Sequence, residues 1–493
     1  MHKGWKMTNT ESEPTSAGEA ESHASDTETT ARDPYRRDAS SIREPPTTIW
    51  GSLRYLGPGF ILSASIVGSG ELIATTIVGA KAGFVLMWFI IFSCLVKVAV
   101  QIEFGKHAIV SGESTMASLN TLPGPKLGGA NWSIWTWLLL MSAKMLQVGG
   151  IVGGVVLAIE EFAPSLSQMP WRIVITYLVA VSVSLLVFRG YYQLIEKASL
   201  IMIGAFTLFT VASLCALQST ELAISGREFM SGFVPSIPAE TVVLFAAIGA
   251  FGITGVGGDE IMAYNYWLLE KGYASYAGPK SGSEEWERRA KGWIRIMYLD
   301  ATLAMVAYTL MTVMFYLLGA AVLHRQSLVP ESGDLISTLG SMYTESLGPW
   351  ARSLFVIGAL VVLYSTLFAA LAAWTRMFSD ALARVGLFSF EDMKQRKIAI
   401  ALLAWLIPIV WGTLFLFMGN PALMVLLGGV ATVFILLIVV FAAMFFRYRR
   451  LDERLLPTRR YDVALWISAM SIVLVAGYVL VDAVSKFVSS FQA

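Results

Sequence analysis

The sequence predicts an all-α integral membrane protein of about 11 transmembrane helices, built as two inverted five-helix repeats (5+5) in which TM1 and TM6 are broken. Three observations carry this. The chain of 493 residues is 56% hydrophobic and only 14% charged, with a mean hydropathy of +0.63, more apolar surface than a water-soluble fold can bury. From residue 54 onward, apolar runs follow one another, each close to the ~20 residues a helix needs to cross hydrocarbon. Two of these runs, five apart in order, carry the same glycine-rich interruption with an acid inside it.

Residues 1–50 are rich in Ser, Thr, Glu, Asp, Pro and Arg and almost free of aliphatic side chains, so a disordered cytoplasmic tail is expected. This tail lacks the apolar core of a signal peptide, which makes the first apolar run a permanent span. Spans are predicted at 56–80, 84–110, 133–160, 171–189, 197–217, 240–268, 296–323, 351–376, 397–418, 421–446 and 462–486. The links at Ala80 to Gly83 and Gly419 to Pro421 are short enough to force antiparallel neighbours. Residues 51–220 then form the first repeat (TM1–TM5), 221–447 the inverted second repeat (TM6–TM10), and 448–493 a basic loop followed by TM11.

Most of the 36 Lys and Arg fall in the tail and in the loops after even-numbered spans. The opposite side holds Lys81, Arg172, Arg227, Arg325, Arg352 and Lys486. That asymmetry predicts a cytoplasmic N-terminus and an extracytoplasmic C-terminus. The absence of an organelle address makes the plasma (inner) membrane the expected location. The Arg447 to Arg460 cluster would sit at anionic inner-leaflet lipid, chiefly as a stop-transfer anchor. A net charge of +1 gives no argument for nucleic acid, and nothing in the chain indicates an obligatory protein partner or a cofactor. Cys94 and Cys215 lie inside apolar runs and read as small buried hydrophobes, while His107 and His324 form no metal-ligand pair.

The interruption in span 1 is Val67-Gly68-Ser69-Gly70-Glu71-Leu72-Ile73, and in span 6 it is Val256-Gly257-Gly258-Asp259-Glu260-Ile261-Met262. Glycine is costly inside a helix. An odd offset of five spans turns the second copy upside down, the mark of inverted repeats with corresponding broken helices. Breaking a helix at mid-membrane frees carbonyls and amides to ligate a substrate. The plainer reading, that Gly68, Gly70, Gly257 and Gly258 merely allow close packing, is weakened by the pairing of the two motifs. Intramembrane charge points the same way, because a charge at the bilayer centre costs at least ~2.5 kcal/mol and needs a partner or a pore. Glu71, Asp259 and Glu260 fall in the breaks, and Lys144 offers a counter-charge. Lys97 is expected to snorkel to the inner end of span 2, and Asp300 to lie at the entrance of span 7.

In its order of landmarks the chain resembles the Nramp divalent-metal transporters, of the LeuT-type fold, over most of residues 54–447. The residues concerned are Gly57-Pro58-Gly59-Phe60 and Gly79-Ala80 in span 1, Trp88, Gln101 and Val110-Ser111-Gly112 in span 2, and Gly232 to Pro238 with Gly249-Ala250 before span 6. The basic link from Lys271 to Arg295 and Tyr364-Ser365-Thr366 of span 8 also fit. The substrate motifs depart from the family. Its Asp-Pro-Gly-Asn falls on Gly68-Ser69-Gly70-Glu71, and its Ala-x-x-Met-Pro-His falls on Ala250 to Gly255, so methionine and histidine are both missing. The span 3 acids associated with proton passage fall on Lys144 and Gln147, and a span 10 glutamine meets Gly428 or Gly429.

The resemblance implies a secondary transporter moving a divalent metal cation by alternating access. Glu71, Glu260 and Asp259 would be the metal ligands, main-chain oxygens near Gly68, Gly70 and Ala250 would complete the substrate site, and Lys144 and Gln147 would serve coupling or charge compensation. Without methionine or histidine the ligands are oxygens, a set that suits Mn²⁺ or Mg²⁺ better than iron. Two alternatives stay open. One is a carrier of an organic substrate such as an amino acid, its carboxylate held by amides of the Gly-Ser-Gly break. The other is a sensor that keeps the fold without transport. An intramembrane enzyme ranks last among the readings, since no Ser-His pair, zinc motif or phosphate-cradling loop points to one.

Overall fold

The computed structural model describes residues 33–37, 39–189, 192–330 and 333–490. Among the described residues, nine helices are long and apolar enough to cross a membrane: Met87–Ser111, Trp132–Phe162, Met169–Phe188, Thr241–Lys271, Glu284–His324, Ala351–Val385, Met393–Met418, Pro421–Arg450 and Arg459–Ala483. These are spans 2, 3, 4 and 6 to 11. Span 5 is the helix Tyr192–Leu217, of which Ile201–Leu217 is the apolar stretch. Span 1 is divided into Pro58–Ile66, Val67–Thr75 and Thr76–Ala82, and its middle piece is a π-helix. Span 6 consists of Thr241–Ile253 and Gly258–Lys271 with non-helical backbone between them. Outside the spans, Leu335–Leu347 forms a further helix before span 8, and a two-stranded hairpin, Lys126–Leu127 with Ala130–Asn131, precedes span 3.

Glycine contacts decide how closely the central spans approach. Span 10 lies along span 3 and along the first half of span 6, span 8 along spans 3 and 1, and span 7 along span 2. Between spans 6 and 10, Gly249 and Gly252 face Gly429, backbone against backbone; a methyl group at Gly249 would stand 2.8 Å from the Leu426 carbonyl oxygen. Gly428 is pressed against the backbone of Gln147 in span 3. The glycines standing at the family's span 10 glutamine are thus contact points that pull spans 3, 6 and 10 together, as small residues do where apolar solvent gives no hydrophobic drive.

The expectation of a disordered tail is corrected for its last part, while residues 1–32 lie outside the described residues. The described residues from Pro34 to Arg43 cross the ends of the spans in ordered contact. The Tyr35 hydroxyl donates to Glu270 Oε1 (2.7 Å), and its ring packs edge-on against Phe390 and Tyr266. Arg37 donates to the Val110 carbonyl at the end of span 2 (2.8 Å), and Arg43 lies over the Tyr276 ring. Aliphatic content missed this segment because it is held by aromatic edges, guanidinium stacking and main-chain acceptors. Cysteine pairing is absent: Cys94 is buried and Cys215 is exposed, a correction for the latter, and both are free.

Candidate functional site

The break in span 6 runs from Thr254 to Gly257, with Gly255 at a φ of +65° that suits glycine. Backbone groups released at this depth must find partners inside the protein. Three side chains supply them. Lys97 of span 2, fully buried, donates through Nζ to the carbonyls of Phe251 (2.6 Å) and Thr254. Ser93, one turn earlier, donates to the Phe251 carbonyl (3.2 Å) and shares a hydrogen bond with Thr254 Oγ1 (3.0 Å). Glu71 of span 1 accepts at Oε1 from the Gly255 amide (3.3 Å) and from the Thr312 hydroxyl of span 7 (2.7 Å). The Ala250 carbonyl is not among the released groups, because it accepts the Thr254 amide at 2.7 Å.

Beyond the break, Asp259 and Glu260 stand in the first turn of the second half-helix, where its dipole favours negative charge. Asp259 is ion-paired through Oδ1 to Lys144 of span 3 and accepts at Oδ2 from the Trp374 indole of span 8 (3.1 Å). Glu260 Oε2 lies 3.7 Å from the Lys144 ammonium and folds back over Gly257, where a β-carbon would collide with it. These groups line a cavity of about 20 Å³ between spans 1, 3, 6 and 8, with Leu62, Ser65, Gln147 and Thr366 on its other walls. Such a volume accommodates about one water-sized guest. Two carboxylates face one ammonium here, so the formal charge around the cavity is negative.

The sequence-predicted residues therefore separate into two groups. Asp259, Glu260, Lys144 and Gln147 share the cavity, whereas Glu71 is outside its lining and joins spans 1, 6 and 7 instead. Among the described residues, no three His, Cys, Asp or Glu side chains gather closely enough to hold a metal ion. Gly68 and Gly70 are contact glycines: Gly68 abuts Thr366, with the Val362 carbonyl 3.2 Å from where its β-carbon would stand, and a β-carbon at Gly70 would lie 2.6 Å from the Ile253 carbonyl oxygen. Because span 1 runs through this stretch as π-helix and not as an open loop, the amides that an organic carboxylate would need are not presented there.

Two other expectations are corrected. Lys97 does not snorkel, since the freed carbonyls of span 6 offer it partners closer than the membrane surface. Asp300 is buried and accepts from the amides of Gly57 (2.9 Å) and Gly59 (2.6 Å) and from the Tyr264 hydroxyl (2.9 Å), so it caps the start of span 1 from span 7. The signal for Lys97 was present in the sequence. Ser93, Lys97 and Gln101 recur every fourth residue and so fall on one face of an otherwise apolar helix.

Comparison with known proteins adds a family and a fold. Residues 59–482 match the family model described as natural resistance-associated macrophage protein-like, Nramp. The divalent metal cation transporter MntH of Deinococcus radiodurans is 25% identical over 437 residues, covering 87% of this chain and 89% of that protein. A manganese transporter variant of Eremococcus coleocola superposes with a TM-score of 0.65 at 16% identity, over 90% of each chain. MhsT in complex with L-phenylalanine superposes with a TM-score of 0.55 at 17% identity, over 88% of this chain and 99% of that one. At these identities the structural likenesses speak for the fold, a LeuT-type bundle, and the molecule is a multi-pass integral membrane protein.

Proposed function

Because the chain belongs to the Nramp family, matched across residues 59–482, we propose that it is a secondary transporter carrying a divalent metal cation by alternating access. The carrying observation is the cavity where Asp259 and Glu260 face a single ammonium, that of Lys144, beside the break in span 6. A divalent cation entering there meets two carboxylates, and its charge opposes the neighbouring ammonium, so cargo and Lys144 compete for Asp259. Lys144 thus acts as a resident counter-charge that neutralises Asp259 between cargo ions and withdraws when one binds. The ligands offered are oxygens only, which favours Mn²⁺ or Mg²⁺ over iron. Glu71 acts at one remove, tying the π-helical part of span 1 to the Gly255 amide and to span 7, so that movement of one broken span is felt by the other. The N-terminus lies in the cytoplasm of a plasma (inner) membrane and the C-terminus outside, as the distribution of Lys and Arg supports.

Uptake of Mn²⁺ and Mg²⁺ into proteoliposomes tests the reading. Asp259→Asn and Glu260→Gln should each abolish uptake while the protein still reconstitutes in wild-type amounts. Wild-type rates in both variants would remove the cavity from the cargo path. Equal uptake of Fe²⁺ and Mn²⁺ would overturn the preference for hard cations.

A further inference from the structure

The first half of span 6 ends with its carbonyls pointing into the bundle, at the negative end of the half-helix dipole. In broken transmembrane helices, such carbonyls are natural ligands for a small cation. Here they are already engaged. We infer that Lys97 is a tethered cation: its ammonium fills a small-cation seat formed by the Phe251 and Thr254 carbonyls and the face of the Phe251 ring, and thereby holds span 6 in its broken form without a soluble ion.

Four observations support this. Lys97 is fully buried, although its four-carbon stem could otherwise carry the charge toward the surface. Its Nζ meets two main-chain acceptors from opposite ends of one bend, Phe251 in the last helical turn and Thr254 in the break, so a single charge staples the bend. The Phe251 ring centroid lies 5.2 Å from Nζ, within range of a cation–π attraction, and Phe251 is itself stacked on Phe89 of span 2. Two carbonyls and an aromatic face form an environment for a desolvated monovalent cation, and Ser93, on the same helix face, holds the Phe251 carbonyl and the Thr254 hydroxyl in place beside it. The consequence for transport is that this seat needs no sodium or potassium ion during the cycle. The inference does not depend on the metal reading, which concerns the cavity at Asp259 and Glu260.

The test is thermal unfolding of the full-length protein in detergent, in choline, sodium, potassium or ethylammonium chloride at equal ionic strength. The wild-type midpoint should be the same in all four salts. Lys97→Ala should unfold several degrees lower in choline, and a small cation, ethylammonium above all, should recover at least half of the loss in a saturable manner. Lys97→Met should be lowered without recovery, because its side chain still fills the seat. The proposal is overturned if Lys97→Ala gains no more from any small cation than the wild type does, or if Lys97→Met melts with the wild type. Should Lys97→Ala yield no folded protein, Lys97→Gln takes its place, keeping a hydrogen-bond donor without the charge. A lowered midpoint for that variant supports the tethered cation, and an unchanged midpoint overturns it.

Discussion

Spans 1 and 6 carry matching glycine-acid motifs, yet they depart from regular α-helix differently. Span 1 keeps a continuous hydrogen-bonded helix by widening it into nine residues of π-helix from Val67 to Thr75. Span 6 opens altogether between Ile253 and Gly258. The difference follows from what faces each stretch. Gly68 and Gly70 look onto Thr366 and the Ile253 carbonyl at distances that admit no side chain, so their smallness is spent on close approach. The backbone of span 6 faces Lys97, Ser93 and Glu71, which take up the hydrogen bonds the helix gives away. A local motif licenses an interruption; the chemistry of the neighbours selects its form.

If span 6 is held by charge and span 1 by contact, removing charge beside span 6 should cost most. Asp259→Asn leaves the buried Lys144 ammonium with only Glu260, 3.7 Å away, as a carboxylate partner, and since stranding a buried charge altogether costs about 3–5 kcal/mol, the loss should approach the lower end of that range. Denaturant unfolding should register this, and the double variant Lys144→Met with Asp259→Leu should recover most of the stability while remaining dead for uptake. An unaltered midpoint in Asp259→Asn would break the comparison at its stronger end.

Filling the contact glycines comes next. Gly70→Ala drives a methyl group against the Ile253 carbonyl and should cost about 1–3 kcal/mol as overpacking. Gly255→Ala, at a left-handed φ and 3.0 Å from the Cys94 α-carbon, should cost about 1–2 kcal/mol. Equal stability of Gly70→Ala and wild type would mean that span 1 has slack the contact argument denies.

Glu71→Gln keeps an acceptor for Gly255 and Thr312 and should lose about 1 kcal/mol or less, whereas Glu71→Ala should lose more, because it strands both donors. Thermal midpoints of the two variants, measured side by side, separate bridging from charge.

The smallest expected effect lies outside the bilayer, at the loop after span 2. Burial raises the Glu113 pKa, but hydrogen bonds from His107 and Arg450 outweigh it and bring the group down to about 2 from an ordinary 4.5. A carboxylate held below its unfolded value stabilises the fold above that ordinary pKa and loses the contribution as pH falls toward 2. The thermal midpoint should decline across that window, and Glu113→Gln should flatten the decline. A pH profile identical in the two proteins would take the Arg450 contact out of the stability account.

Much of the fold was legible because membrane helices announce themselves one at a time: length and apolarity identify a span without knowledge of its neighbours. Asp259 and Lys144 could be singled out for the same reason, since a charge in hydrocarbon is conspicuous wherever it points. Their partnership was less visible, because the two residues are 115 positions apart. Glu71 shows the limit most clearly. It shares a motif position with Glu260, yet one lines the cavity and the other ties three spans together. The docking of Tyr35 and Arg43 was missed because aliphatic content is the wrong measure for a segment held by rings, guanidinium groups and carbonyls.

By itself, then, the order of residues determined a membrane bundle of long apolar spans, the matching glycine-acid motifs of spans 1 and 6, the opening of span 6 and the family, all of which depend on local composition and spacing. Only the tertiary structure decided which acid meets which lysine, that the carbonyls of span 6 are held by Lys97, and that the glycines of span 1 serve contact. Those outcomes depend on distances between residues far apart in the chain, and a helix alone does not fix what its faces will touch.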